Sequence, residues 1–411
     1  MHPCSCPPSP LGWGAPSSCH DSLTSLFCNR PPSGMSETIL FQTDSKSVTV
    51  LDLPRSIQHG QRSSASLKSS AAIKIPYPST EPKGRKREKL FNKLPKAERD
   101  YHDEICTLLR SALLEARSSI GDGNWCFARI VQCTPDETAQ LAIEGSQGYP
   151  APAQPPLFLS SAFQNYVPVL PDLRRSLVVN SLPATSIIAA EAHTFIIPPR
   201  SAFLCTTVAD GLHLMKEALA SNFISTGSFT SCFDFVLLDP PWANRSVRHA
   251  RTYKTAETQD DPFDDVLPLL ENHVAPSGIV AVWITNKAAI RESVLRALSD
   301  FGGLELFEEW IWLKITQKGD PVTEIDGLWR KPYEVLLLFT RSPSPNSIPQ
   351  RRVVIAVPDM HSRKPCLKQL IEPLLPQSYS ALEVFARSLT AGWWSWGDEC
   401  LKYQRTSEWD L

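Results

Sequence analysis

Residues 233–238, Phe-Asp-Phe-Val-Leu-Leu, form a mostly apolar run of strand length that ends at Asp239-Pro240-Pro241-Trp242. Two successive prolines have no N–H to give a sheet ladder, so the strand must stop where they begin. The stop leaves an acid at the strand's C-terminal end, where open α/β sheets gather their chemistry. From about residue 200 onward strands and helices alternate around this stretch. Strand patterns fall at 202–206, 233–239, 278–285, 305–314, 334–340, 353–357 and 381–387, and helix patterns at 211–220, 264–273, 288–300 and 367–375. This alternation predicts an α/β fold, a doubly wound and mostly parallel sheet, over residues 201–411.

The preceding chain is less regular. Residues 1–34 are rich in Pro, Ser and Cys, show no helix or strand period, and are expected to be disordered. Residues 35–94 hold two β-prone runs, 38–42 and 48–53, which read as a strand pair or hairpin added to a later sheet. A Ser/Pro linker over 54–82 and a basic stretch follow. Over 83–99, eight cations from Lys83 to Arg99 face only Glu88 and Glu98. Nuclear import, phosphate contact and a plainly charged approach to a helix all fit such a run. Residues 95–200 form an accessory region. Tyr101, Ile105, Leu108, Leu109, Ala112 and Leu113 recur at helical spacing, 125–131 reads as a strand, and 134–200 is Pro-rich and irregular.

A net charge of −2 means that any surface for nucleic acid must be local. No apolar run reaches the ~18 residues that span a bilayer, so no membrane partner is expected. Eleven cysteines at irregular spacing argue against a disulfide framework and for a reducing compartment, nucleus or cytosol. Cys4, Cys6, Cys19, His20 and Cys28 have spacing atypical of structural zinc, so no metal is expected.

The acid-proline-proline-aromatic group suits methylation of a base's exocyclic amine. The lone pair of such an amine is delocalised into the ring, so the amine must be held toward the methyl donor rather than merely deprotonated. Asp239 can accept one N–H and the Pro240 carbonyl the other, while Pro241 stiffens the backbone between them. Trp242 offers a face on which a purine can stack. Rigid placement of this kind supplies much of a barrier reduction when the transfer needs little acid–base help. The plainer alternative is a proline-terminated buried strand followed by a structural tryptophan. Asn244, Arg245, Arg248 and Arg251 come directly after the acid and could position phosphates at the mouth of a base pocket; the plainer alternative is a solvated loop.

The run Asp-Pro-Pro-Trp-Ala-Asn-Arg-Ser-Val-Arg over 239–248, with Arg251 and Tyr253 beyond it, resembles the D-P-P-W adenine-N6 methyltransferases. It is most similar to the methyltransferase-like protein 4 branch. The resemblance implies a Rossmann-like methyltransferase fold, S-adenosyl-L-methionine as cofactor, and Tyr253 on a mobile loop over the target base. The absence of G-x-G-x-x-G removes a dinucleotide phosphate cradle and weakens any dehydrogenase reading.

Three later stretches offer groups for the cofactor. Lys364 in His-Ser-Arg-Lys-Pro could meet the methionyl carboxylate, Glu383, Phe385 and Arg387 lie in Leu-Glu-Val-Phe-Ala-Arg, and Asp398 and Glu399 close Trp-Trp-Ser-Trp-Gly-Asp-Glu. Taken singly they are a basic loop, a strand with charges at its end, and a polar turn. In this order they resemble the family's H-S-x-K-P, E-[L/V]-F-A-R and G-W-x-S-W-G-N-E motifs, with the resemblance running from about residue 203 to the C-terminus. It further implies Glu334 and Lys364 near the reaction centre. Asp398 stands where the family commonly has Asn, which keeps an acceptor for a ribose hydroxyl but loses the amide donor.

The expected activity is adenine-N6 methylation of nucleic acid, RNA before DNA, by a nuclear protein acting as a monomer. A degenerate RNA-binding or scaffold domain and a methyltransferase for protein or small-molecule amines are the alternatives.

Overall fold

The computed structural model describes residues 38–132, 155–160, 164–167, 173–191, 193–220, 232–242, 263, 265–343 and 348–411. Asn244, Arg245, Arg248, Arg251, Tyr253, the proposed disordered segment 1–34 and its cysteines lie outside them.

A twelve-stranded sheet runs through Met35–Leu411, which forms one compact unit. In chain order its strands are β1 (Ile39–Gln42), β2 (Val48–Leu51), β3 (Leu157–Phe158), β4 (Val178–Asn180), β5 (Ser201–Leu204) and β6 (Phe233–Leu238). Then come β7 (Val274–Ile284), β8 (Glu305–Lys314), β9 (Tyr333–Thr340), β10 (Gln350–Ala356), β11 (Ala381–Val384) and β12 (Trp394–Trp396). Their spatial order is β1-β2-β10-β8-β9-β7-β6-β11-β12-β5-β4-β3. The five central strands β7, β6, β11, β12 and β5 are all parallel, whereas β9 is antiparallel to both β7 and β8. From β6 the chain continues to β7 on one side, while β11 on the other side arrives only after β10. The boundary between β6 and β11 is therefore the switch point of the sheet, where a crevice opens at the strands' carboxyl ends.

Helices cover both faces. On one lie α3 (Lys96–Ile120), α4 (Val208–Ala220), α5 (Leu267–His273) and α6 (Ala288–Gly302), after α1 (Leu53–Gln61) and α2 (Gly84–Phe91) in the chain. Ile105 and Leu109 of α3 and Val294 and Leu298 of α6 pack with Val236, Val282 and Leu337 of the sheet. On the opposite face, Leu53 and Ile57 of α1 pack with Phe235, Trp283 and Leu336.

Three features depart from the sequence expectation. The stretch read as a linker over 54–82 holds α1 and a short strand, Ser66–Ser69. The helix starts because Asp52 accepts from Arg55 N at 3.0 Å and Pro54 sits in its first turn, a cap that Ser/Pro composition masks. Strand β11 ends at Val384 instead of 387, because Phe385 takes φ 61° and turns the chain. Finally, residues of the irregular 134–200 region join the sheet, as β3 and β4 extend one edge. At the other edge β1 and β2 form the expected strand pair added to the sheet, β2 lying parallel to β10. Of the 125–131 strand only Ile130–Val131 pairs, against Ser66–Ser69.

Candidate active site

Asp239 follows β6 directly, and its N–H reaches Val384 O of β11 at 3.4 Å across the switch point. The Pro240 carbonyl accepts from Trp242 N at 2.8 Å, closing a three-residue turn. A carbonyl has two lone pairs, so one remains for a ligand.

Five of the sequence candidates and two neighbouring lysines form a string of alternating charge along the carboxyl edge. Lys314 bonds Glu334, and Lys364 bridges Glu334 at 3.2 Å and Asp239 at 2.8 Å. Arg387 then joins Asp239 at 2.9 Å to Glu399 at 3.1 Å, and Lys402 ends the string 2.8 Å from Glu399. The register of the sheet makes part of this possible, because β8 and β9 bring Lys314 and Glu334 together and β6 leads directly into Asp239, while the loops after β10, β11 and β12 supply Lys364, Arg387 and Glu399. Lys364 also sits 5.2 Å from the centre of the Trp283 ring. A narrow cleft of about 50 Å³ opens beside these groups, with Phe235, Trp283, Lys364, Glu383, Phe385 and Arg387 among its walls.

The string settles the charge states. Burial works to raise the Glu334 carboxyl, but the Lys364 and Lys314 ammoniums outweigh it and hold Glu334 at about 2. Burial likewise works to lower Lys364, and Asp239 and Glu334 overcome it, so its pKa is raised. Glu383 goes the other way. Burial and then the Asp239 charge push it up to about 8 against the pull of Arg387 and Lys364. With protein groups alone, these effects favour the protonated form of Glu383 near neutral pH.

Trp242 requires a correction. It is only 8% exposed, packs among the core residues beside Phe263, and donates from Nε1 to Trp283 O at 2.8 Å. Its ring serves as an anchor for the turn in this conformation and offers no open face for a purine. Asp398 is exposed at the turn after β12, where its backbone carbonyl accepts from Cys205 Sγ at 3.8 Å. Gly397 is required there, since an added Cβ would lie 2.9 Å from the Ala386 backbone. Sequence reasoning missed Lys314 and Lys402 as members of the string. The available signals were a lysine on the last residue of β8 and one placed three residues after Glu399. Among the described residues no His, Cys, Asp and Glu group could hold a metal, and no helix is long and apolar enough to cross a membrane.

A doubly wound sheet with an acid and two prolines at its switch point is a Rossmann-like methyltransferase fold. Residues 233–399 match the MT-A70 family model, so the chain carries an MT-A70 domain of the kind its motifs resemble. Among its relatives is the N6-methyladenosine RNA methyltransferase MTA1 of Cryphonectria parasitica, 43% identical over 52% of this chain and 63% of that protein. The N(6)-adenine-specific methyltransferase METTL4 of Homo sapiens is 31% identical over 57% of this chain and 48% of that one. A Caenorhabditis elegans protein named DNA N6-methyl methyltransferase is 35% identical over 47% of this chain and 50% of its own length. The chain thus matches about half to just under two thirds of the length of these relatives.

Proposed function

We propose that this chain is an S-adenosylmethionine-dependent adenine-N6 methyltransferase acting on nucleic acid. The observation that carries this reading is Asp239 fixed between Lys364 and Arg387 at the open end of β6, next to a Pro240 carbonyl with a spare lone pair. One amine N–H would go to Asp239 and the other to Pro240 O, which turns the nitrogen lone pair out of the base plane. Charge that develops on the amine then meets a preorganised carboxylate, an arrangement worth more in a partly dry site than in water. Glu334, held ionised by its two lysines, fixes Lys364 and through it the orientation of Asp239.

The chemical character of the donor set fits the cofactor. Asp398 offers an exposed acceptor to ribose hydroxyls, Phe385 a partly buried aromatic wall, Lys364 and Arg387 cations for a carboxylate, and Asp239 a counter-charge for an ammonium. When bound, the cofactor supplies an electrophilic methyl; positioning the amine is the task of the protein.

RNA is the favoured substrate because the relative with the highest of the three quoted identities is named an RNA methyltransferase, although another is named for DNA. The loop with Asn244, Arg245, Arg248 and Arg251 is assigned to phosphates, Tyr253 to the target base, and the basic run 83–99 to nuclear import. The decisive experiment incubates purified protein with cofactor carrying a labelled methyl and mixed RNA and DNA, then measures methylated nucleosides by mass spectrometry. Labelled N6-methyladenine from RNA is expected. Label confined to protein, or no label with intact cofactor binding, overturns the proposal.

A further inference from the structure

The basic run at 83–99 has a structural setting that the methyl-transfer site does not use. Helix α2 lies within it and buries none of its residues, while Arg85, Lys86 and Lys89 are all exposed. Only Leu90 and Phe91 at its end are apolar and part-buried, Phe91 lying 6.1 Å ring to ring from His102, so packing alone holds this short helix weakly. Further hold comes from the loop that joins β8 to β9. Just before the helix, the Glu81 carboxylate accepts three successive backbone N–H groups, from Leu328 at 2.8 Å, Trp329 at 3.0 Å and Arg330 at 2.9 Å. Consecutive backbone donors of this kind form an anion cradle, and charge-assisted bonds into it are among the stronger ones. Gly327 permits the turn, because an added Cβ would fall 2.5 Å from Arg330 O. Upstream, Tyr77 N donates to Val322 O at 2.8 Å, and Arg87 pairs with Asp326 at 3.1 Å.

This bracing presents one large side chain to solvent. Trp329 is 55% exposed even with Lys86 Nζ 5.5 Å from the centre of its ring. Exposed aromatic faces beside cations are the two components of single-strand nucleic-acid binding: the ring takes a base and the cations take the backbone. Asp326 of the loop is already paired with Arg87 and Arg110, so exposed Arg85, Lys86, Lys89 and Arg330 outnumber the exposed acids Glu88 and Glu324. Trp329 also stands five residues before Glu334, so at most about 18 Å of chain separates it from the charge string.

We infer that Trp329 and helix α2 form a second binding surface, which stacks an unpaired base and neutralises backbone phosphates in the single strand flanking the target adenine. The inference rests on the proposed function for its choice of partner. Phosphates meet Arg85, Lys86, Lys89 and Arg330, and a base lies on Trp329.

The test is fluorescence anisotropy of the full chain with RNA oligonucleotides lengthened stepwise on either side of one adenine, at several salt concentrations. Trp329→Ala should cost on the order of tenfold in affinity for long oligonucleotides only, with the salt slope unchanged. Arg85→Gln, Lys86→Gln and Lys89→Gln combined should reduce the slope by about two, at about 0.7 for each phosphate no longer neutralised. Both variants should retain whatever methyl transfer the wild type shows on the shortest substrate. Photocrosslinking to RNA carrying 5-iodouracil should map to the peptide holding Trp329. Wild-type affinity of the Trp329→Ala variant for long oligonucleotides, together with no crosslink at that peptide, overturns the inference. So does loss of self-association in sedimentation velocity on the same substitution, which would mark the surface as a contact for a second copy. A crosslink at Trp329 without methylation of any nucleic acid would instead sink the proposed activity and leave this surface standing.

Discussion

Lys364 and Asp239 meet end to end, with Nζ 2.8 Å from one carboxylate oxygen and 3.0 Å from the other. The ammonium touches both oxygens and Glu334 as well, so it fixes the plane of the Asp239 carboxylate as well as balancing its charge.

Lys364→Met should therefore lower kcat by roughly a hundred-fold or more, the usual cost of losing a preorganised electrostatic partner. The fold should survive, because Asp239 keeps Arg387 and Glu334 keeps Lys314. Asp239→Ala should also abolish turnover without unfolding. Steady-state kinetics with a thermal melt of each variant is the check, and near-normal kcat in a folded Lys364→Met protein would remove this lysine from the site.

Glu383 makes stability fall with rising pH. Its pKa rises from an ordinary carboxyl value to about 8 on folding, so between about pH 5 and 8 the folded state holds a proton that the unfolded state has released. Stability decreases wherever the native state binds more protons. Glu383→Gln keeps a neutral donor at every pH, so without cofactor its melting temperature should exceed that of the wild type at pH 8 and match it at pH 5. Parallel pH profiles for the two proteins would show that Glu383 is ionised throughout. Glu334 acts in the opposite sense: its folded pKa is depressed to about 2, so its contribution is present above about pH 5 and is lost progressively as the pH falls toward 2.

Trp242→Ala should unfold more than it slows. Deleting a buried indole costs about 3–5 kcal/mol, and here it also strips a hydrogen bond from Trp283 O. Trp242→Phe should retain most of the packing and lose only that bond. Denaturant titration of both variants measures this, and a Trp242→Ala midpoint equal to that of the wild type would restore the ring to a free stacking role.

That contrast shows what could be read in advance. The end of β6 was legible because two prolines after an apolar run admit one local outcome, and Lys364, Glu383 and Arg387 were legible as charges at strand or loop ends. The string itself was only partly legible, because Lys314 meets Glu334 through the pairing of β8 with β9 and Lys402 reaches Glu399 through a turn. The burial of Trp242 was not legible: an aromatic after a proline turn looks the same in sequence whether it faces solvent or Phe263 and the core. Helix α1 was hidden by its Ser/Pro surroundings, although Asp52-Leu53-Pro54 was a readable start.

Asp398 bears on cofactor affinity. The turn that carries it is rigid, with Gly397 N bonded to Leu204 O at 3.1 Å and Cys205 Sγ to the Asp398 carbonyl, so its side chain projects from a fixed base into solvent. A carboxylate there can only accept, and Glu399 beside it is held ionised by Lys402 and Arg387, which overcome its burial. Asp398→Asn would keep the acceptor, add a donor and remove one of two adjacent negative charges. Being exposed, the position should tolerate the change within about 0.5 kcal/mol of stability. Calorimetric titration with S-adenosylmethionine should then show tighter binding, on the order of several-fold if one neutral amide hydrogen bond is gained, with kcat little altered because Asp398 is not part of the charge string around Asp239 and Lys364. An unchanged or weaker dissociation constant for the Asn variant would mean that the ribose is held elsewhere, and that the turn after β12 is only a surface connection.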